Sequence, residues 1–242
     1  MKPFLRRVTL ALAAIAAGTA TAGESGNPDW PNLAKYREAN AELTATANNA
    51  RVVFMGDSIT EGWGDVADSV FANRDYVNRG ISGQTTPQML LRFRADVIEL
   101  HPRAVVILAG TNDIAGNTGP ATLEQIEGNI ASMVELARAH RIRVVLASLL
   151  PAAHYGWAPE VKPIERIAAL NRWIAAYAQA HGLVHIDYYS PLADAGSALK
   201  KEYSEDGVHP NAAGYKVMNA IVRQGIARAF GRAGAHQAAK SQ

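Results

Sequence analysis

Three side chains far apart in this 242-residue chain are of the types that acyl transfer needs: Ser58, Asp206 and His209. Cleaving an ester takes an attacking oxygen, a base to receive its proton, and donors for the charge that gathers on the carbonyl oxygen. Ser58 is delivered by residues 51–62, Arg-Val-Val-Phe-Met-Gly-Asp-Ser-Ile-Thr-Glu-Gly. Val52 to Met55 is too short for a helix and rich enough in β-branched and aromatic residues for a buried strand. Gly56 then permits backbone angles that other residues resist, and a polar segment follows. Ligands of an open α/β sheet sit beyond the carboxyl ends of its strands, so Ser58 falls where chemistry is expected. Taken alone, a serine there reads first as only the N-cap of the next helix. Asp206 and His209 stand three residues apart, in a segment loosened by Gly207 and ended by Pro210, so one loop can deliver both. Both follow the serine in chain order, which fits neither the chymotrypsin nor the subtilisin arrangement, and the Gly-x-Ser-x-Gly elbow of α/β-hydrolases is missing around Ser58.

Two more blocks complete a set. Asn78-Arg79-Gly80-Ile81-Ser82-Gly83 and Gly110-Thr111-Asn112-Asp113 lie between the serine block and Asp206-Gly207-Val208-His209-Pro210-Asn211. In this order and spacing the four closely resemble the blocks of the SGNH (GDSL-type) hydrolases, from about Trp30 to Phe230. Ile59 stands where the family's name has leucine, an apolar exchange. The resemblance implies Ser58 as nucleophile, His209 as general base and then general acid, and Asp206 as the group that orients the imidazole. It also implies oxyanion donors from the backbone amides of Ser58 and Gly83 and the side-chain amide of Asn112, and no metal or cofactor. Gly83 suits that role, because an amide without a Cβ beside it can approach a substrate closely. Singly, each residue has a plainer reading: Asn112 as a turn former, Gly83 as a loop glycine, Asn211 as a helix N-cap. Asp57 and Asp113 are read as structural, bonding loop amides. The other six histidines have no partner pattern and are read as surface or core residues.

Elements must position these blocks. Apolar spacing at Leu33, Tyr36, Ala39 and Leu43 predicts a helix within Trp30 to Ala47, packed across the sheet. Strands are expected at Val52–Met55, Tyr76–Asn78, Ala104–Ala109, Arg143–Leu149 and Leu183–Asp187. Helices are expected from Pro87 towards Leu100, from a Thr122/Gln125 capping box to His140, from Pro163 to His181, and from Asn211 to Phe230. Strands separated by helices give an α/β fold with a parallel sheet covered on both faces. The resemblance implies a three-layer sandwich with five strands in flavodoxin-like order.

Lys2, Arg6 and Arg7, an apolar segment from Val8 to Ala17, and Ala20-Thr21-Ala22 read as a removable secretory signal over residues 1–22. The apolar segment is short of the ~20 residues that span a bilayer. Arg6-Arg7 is a weak match to the twin-arginine route, so the export route stays open between the two. The signal carries three of the 24 Lys+Arg and none of the 22 Asp+Glu, leaving 21 bases against 22 acids, a net −1. Nothing in that balance suggests nucleic acid or an anionic membrane as partner, and no stable membrane anchor is expected after signal removal. With no cysteine, the remaining residues 23–242 must be held by their core. They are expected to form one domain with frayed ends at 23–28 and 231–242, exported to the periplasm or beyond.

The leading reading is a secreted serine ester hydrolase. A metal-assisted hydrolase built on Asp57, Asp113, Asp206 and His209 would lack a second ligating histidine at metal spacing. A binding module holding a glycan without turnover has no need of serine, histidine and asparagine together. The substrate is expected to be a small-molecule, glycan or lipid ester. The resembled family includes carbohydrate acetylesterases, thioesterases and lysophospholipases, and the absence of a long apolar lid favours short acyl groups. Tyr155 and Trp157, in a proline-bounded loop after the fourth strand, are read either as pocket walls or as pins holding that loop to the core.

Overall fold

The computed structural model describes residues 28–46 and 48–238. The expected signal, residues 1–22, lies outside them. Five strands form one parallel sheet: β1 Val52–Gly56, β2 Tyr76–Gly80, β3 Ala104–Ile107, β4 Arg143–Ala147 and β5 Val184–Ile186. Their spatial order is β2-β1-β3-β4-β5, the flavodoxin-like order. The chain runs outward from β1 to β2 and then returns past β1 to β3, so the direction of winding reverses between β1 and β3. A crevice opens at that reversal, beyond the strands' carboxyl ends.

The central strands β1 and β3 are buried on both faces, which is why they read as continuous apolar runs. Val53, Met55, Val105, Ile107, Val144 and Leu146 belong to one core. That core is closed by α3 (Thr86–Asp96), α5 (Leu123–Ala139) and α6 (Ile164–Ala180) through Met89, Phe93, Ile126, Ile130, Leu170 and Ile174. The alternate residues Val52, Phe54, Val106 and Val145 enter a second core under α2 (Ser58–Gly62) and α8 (Ala212–Ala238). There Trp63 stacks on Tyr215 with centroids 5.6 Å apart and donates from Nε1 to Asn219 Oδ1 at 2.9 Å. Two short helices, α4 (Thr111–Ala115) and α7 (Tyr189–Leu192), follow β3 and β5.

The Thr122/Gln125 capping box starts α5 as expected. Two differences concern the ends. The helix expected within Trp30 to Ala47 is only α1, Arg37–Thr44. Before it, the Asp29 carboxylate accepts from the Leu33 and Ala34 amides at 2.7 and 2.8 Å, and Asn32 adopts φ +57°, which turns the chain instead of winding it. α1 has no fully buried residue and leans on α3 and the turn Ile98–Leu100 beside the sheet. At the other end α8 is bounded at Ala238, eight residues beyond the expected Phe230. Among the described residues no helix is long and apolar enough to cross a membrane.

Candidate active site

β1 ends at Gly56 and α2 begins at Ser58, with no room for a longer turn between them. Gly56 lies opposite Gly80 of β2. A Cβ at Gly80 would land on the Glu61 amide nitrogen and lie 2.7 Å from Asp57 O, so α2 can sit against β2 only because that residue is glycine. Asp57, the N-cap, accepts from the Ile59 amide through Oδ1 at 3.0 Å. It is 1% exposed. Burial pushes its carboxyl up to about 6, with Asp113 adding to the rise and the Ile59 N–H and His209 opposing it.

The Gly56 carbonyl accepts from Ile81 N at 3.1 Å and from Arg92 Nη2 at 3.0 Å. Arg92 is wholly buried, pairs with Asp96 at 2.9 Å and also donates to Gln84 Oε1. This ion pair beneath the sheet's edge ties the serine turn to the loop that follows β2. Tyr36 adds a bond from its hydroxyl to Gly80 O.

Ser58 Oγ lies 2.9 Å from His209 Nε2, and His209 Nδ1 lies 2.6 Å from Asp206 Oδ2. With Nδ1 donating to the carboxylate, Nε2 is left to accept the serine proton, the tautomer this network favours. Asp206 Oδ1 meanwhile accepts from the Val208 and His209 amides at 2.9 and 2.8 Å and from Ser204 Oγ at 3.1 Å. Partial burial would raise the Asp206 carboxyl, but the bonds from the His209 ring and from the His209 and Val208 amides outweigh it and hold it at about 2. Gly207, at φ +78°, makes the turn between acid and base, and a bridge between Ser204 and Pro210 closes the loop behind them.

Asn112 sits on α4, at the end of β3 and therefore across the crevice from Ser58. Its Nδ2 lies 3.0 Å from Gln84 O and 3.4 Å from Asp57 Oδ2. The second distance is too long for a well-made bond. Gly83 stands beside it at φ +77°, a conformation that a residue with a Cβ adopts only under strain. Asp113 accepts from Thr86 N and Oγ1 at 2.9 and 2.6 Å, so it and Asp57 both bond backbone amides, those of the first turns of α3 and α2 where loop amides were expected.

Two clefts meet at the exposed Ser82, the one with the serine mixed in character and the other mostly polar. One, of about 710 Å³, is lined by Ser58, His209, Lys35, Glu61, Asp65 and Tyr215 among others. The other, of about 680 Å³, is lined by Gly83, Gln84, Asn117, Trp30, Trp157 and Glu160 among others. Glu61 pairs with Lys35 and accepts from Ser82 N and Oγ at 2.7 and 2.6 Å, which fixes the strip between the clefts.

Of the two rings after β4, Trp157 is 46% exposed and lines the second cleft, with its centroid 6.2 Å from that of His209. Tyr155 is corrected: it is fully buried, stacks beneath Trp157 at 5.0 Å and is a pin, not a wall. An aromatic pair in a short loop cannot expose both rings when one must cover the core. Missed altogether was Asn117, whose Nδ2 donates to Asn112 Oδ1 at 2.9 Å and Gly83 O at 3.1 Å and whose Oδ1 accepts from Trp157 Nε1 at 2.9 Å. In the sequence it is one polar residue of the turn Asn117-Thr118-Gly119-Pro120, with no signal that sets it apart. Among the described residues no three His, Cys, Asp or Glu side chains converge as metal ligands.

Comparison with known proteins bears on the family and the fold. The GDSL-like Lipase/Acylhydrolase family matches residues 54–217. The chain is 47% identical to a GDSL-like lipase from Bacteroides thetaiotaomicron VPI-5482, whose crystal structure superposes with a TM-score of 0.78 over 82% of this chain and 98% of that one. A putative acylhydrolase from Bacteroides fragilis NCTC 9343 gives the same identity and TM-score, with 97% of its chain covered. The chain is also 29% identical over 184 residues to esterase TesA of Pseudomonas aeruginosa, spanning 69% of this chain and 83% of TesA. A match that begins within β1 and ends within α8 encloses the whole sheet and every block around the crevice, so the chain belongs to the GDSL-like lipase/acylhydrolase family and is a serine esterase acting on carboxylic ester bonds.

Proposed function

We propose that Ser58 attacks the ester carbonyl, that His209 takes its proton and returns it to the leaving alcohol, and that Asp206 holds the imidazole and stabilises its charged form. Ser58 N–H, Gly83 N–H and Asn112 Nδ2 receive the oxyanion, and water then releases the acyl group by the same steps in reverse roles. The observation that carries this reading is the continuous chain Ser58 Oγ, His209, Asp206 at 2.9 and 2.6 Å, opening onto a cleft. Ser58 leads α2, where the first amides have no acceptor within the helix, and Asn112 keeps a hydrogen held only by the long contact to Asp57.

The substrate is an ester of a short acyl group, acetyl first, on a carbohydrate. Clefts lined by lysine, carboxylates and amides offer no long apolar channel for a fatty chain, while exposed Trp30 and Trp157 present flat faces that suit sugar rings. The test is kcat/KM across aryl esters of increasing chain length, an acetylated xylose, a lysophospholipid and an acyl thioester. A maximum at acetyl, with turnover of the acetylated sugar, is expected. A maximum at a long-chain acyl group, or preference for the lysophospholipid or thioester, overturns the substrate assignment and favours the corresponding activity. The protein is further read as exported through residues 1–22. Fractionation of a bacterial host and N-terminal sequencing check this, with a mature start at Gly23 expected and a retained Met1 in the cytoplasm contradicting it.

A further inference from the structure

We propose that Asn117 is a positioning residue of the oxyanion hole, and that Trp157 locks the orientation of Asn117 from the side of the second cleft. The inference rests on reading Asn112 and Gly83 as oxyanion donors.

A primary amide has a donor end and an acceptor end, and turning it over exchanges them. An oxyanion donor of this kind works only if its nitrogen faces the reacting oxygen. Within Asn112 itself nothing decides which end points where. Its neighbours decide it from both ends: Gln84 O, which can only accept, holds Nδ2 at 3.0 Å, and Asn117 Nδ2, which can only donate, holds Oδ1 at 2.9 Å, leaving the second hydrogen of Nδ2 towards Asp57. Asn117 Nδ2 also donates to Gly83 O at 3.1 Å, so a single NH₂ group braces both loops that carry the donors. The Asn117 amide could itself turn over; Gly83 O, which only accepts, opposes that at one end, and the indole N–H of Trp157, which only donates, opposes it at the other by bonding Oδ1 at 2.9 Å. The backbone supports the arrangement, with Asn117 N donating to Asn112 O at 3.0 Å. Three loops, after β2, β3 and β4, are thus joined through one side chain that touches no reacting atom. The ring that walls the second cleft is the last link, so the wall and the oxyanion hole are one hydrogen-bonded unit.

The experiment compares kcat and KM on an aryl acetate, with melting temperature, for Asn117→Ala, Asn117→Asp, Trp157→Phe, Asn112→Ala and the double variant Asn112→Ala/Asn117→Ala. Removing an oxyanion donor lowers kcat by roughly 100- to 1,000-fold, and misaiming one is expected to cost less, about 10-fold for Asn117→Ala with KM within about twofold. Asn117→Asp keeps size and the Trp157 bond but sets carboxylate against Gly83 O and Asn112 Oδ1, so its loss is larger. Trp157→Phe keeps an aromatic ring and removes the N–H, and lowers kcat by about threefold. Because Asn117 acts through Asn112, its effect shrinks when Asn112 is already alanine. Full kcat in both Asn117 variants, or losses that simply multiply in the double variant, overturns the inference while a slow Asn112→Ala keeps the oxyanion reading. Wild-type kcat in Asn112→Ala removes the oxyanion reading and the inference with it. If Asn117→Ala does not fold, Asn117→Asp and Trp157→Phe decide alone: a lower kcat at unchanged melting temperature supports the proposal, and an unchanged kcat in both overturns it.

Discussion

Replacing Asp57 by asparagine separates the charge of this buried carboxyl from its shape. Unfolded, Asp57 ionises near the usual carboxylate value of 3.8, whereas in the fold burial raises it to about 6. Between those values the folded chain holds a proton that the unfolded chain has lost, so stability falls as pH rises from about 4 to about 6 and stays low above that. Two units at about 1.4 kcal/mol each amount to roughly 3 kcal/mol. Asp57 is buried, so solvent does little to screen that cost. For a protein of this size a loss of about 3 kcal/mol corresponds to about 6 to 12 °C in Tm. The amide introduced by Asp57→Asn retains an oxygen for the Ile59 N–H and carries no charge, so the variant should melt close to wild type at about pH 4 and about 6 to 12 °C above it at about pH 7. Other titrating groups, including the nearby Asp113 and His209, contribute to both proteins and largely cancel in the difference. Calorimetric scans of the pair across that pH range measure it. A Tm difference that does not change with pH would refute the reasoning, since it would mean Asp57 ionises alike in the folded and unfolded chain.

Ser58→Ala and His209→Ala should each lower kcat by roughly 1,000-fold or more at unchanged Tm, because both side chains face the cleft. A matching fall in Tm would assign them to packing. Gly80→Ala should cost roughly 3 kcal/mol and most activity, since its Cβ meets the Glu61 and Asp57 backbone, which cannot step aside; denaturant unfolding with an unchanged midpoint contradicts this. Arg92→Met strands Asp96 in the core and should cost about 3 to 5 kcal/mol, and Arg92→Met/Asp96→Leu should recover part of it. A double variant no more stable than the single would show that the pair is not the unit. Trp157→Ala should alter the ratio of kcat/KM for acetylated sugar over aryl acetate more than it alters Tm, and an equal loss on both esters together with a lower Tm would make the ring a packing element.

What could be read from the sequence divides by the range of the interaction. The strands were visible because each needs only a run of apolar residues, and the α5 capping box because Thr122 and Gln125 are three residues apart. Asp206 and His209 were visible for the same reason, and Ser58 through the glycine that ends β1. Asn112 was named, but the short helix α4 that carries it was not, since five residues give no periodicity. Tyr155 and Trp157 were indistinguishable, two rings two residues apart, until the core took one and left the other. Asn117 lies 34 residues from Gly83 and 40 from Trp157 in sequence, and no local pattern announces such partners. The turn before α1 shows a further limit: helical spacing at Leu33, Tyr36 and Leu43 was real, but Asp29 captured the amides that would have continued it.

The hydrogen bond from Tyr215 OH to Ile59 O, at 2.9 Å, spans 156 residues, and Trp63 reaches Asn219 across the same separation. Both tie the helix just after His209 to the turn that holds Ser58. Acid and base can find each other within a single loop as soon as that loop exists, but the base cannot meet the serine until α8 has settled on the finished sheet. Reactivity therefore depends on the docking of α8, although α8 supplies none of the three residues of the Ser58, His209, Asp206 chain. Undocking of the last helix would break both bonds and open the core beneath Ser58, so esterase activity is a readout of α8 in its native place.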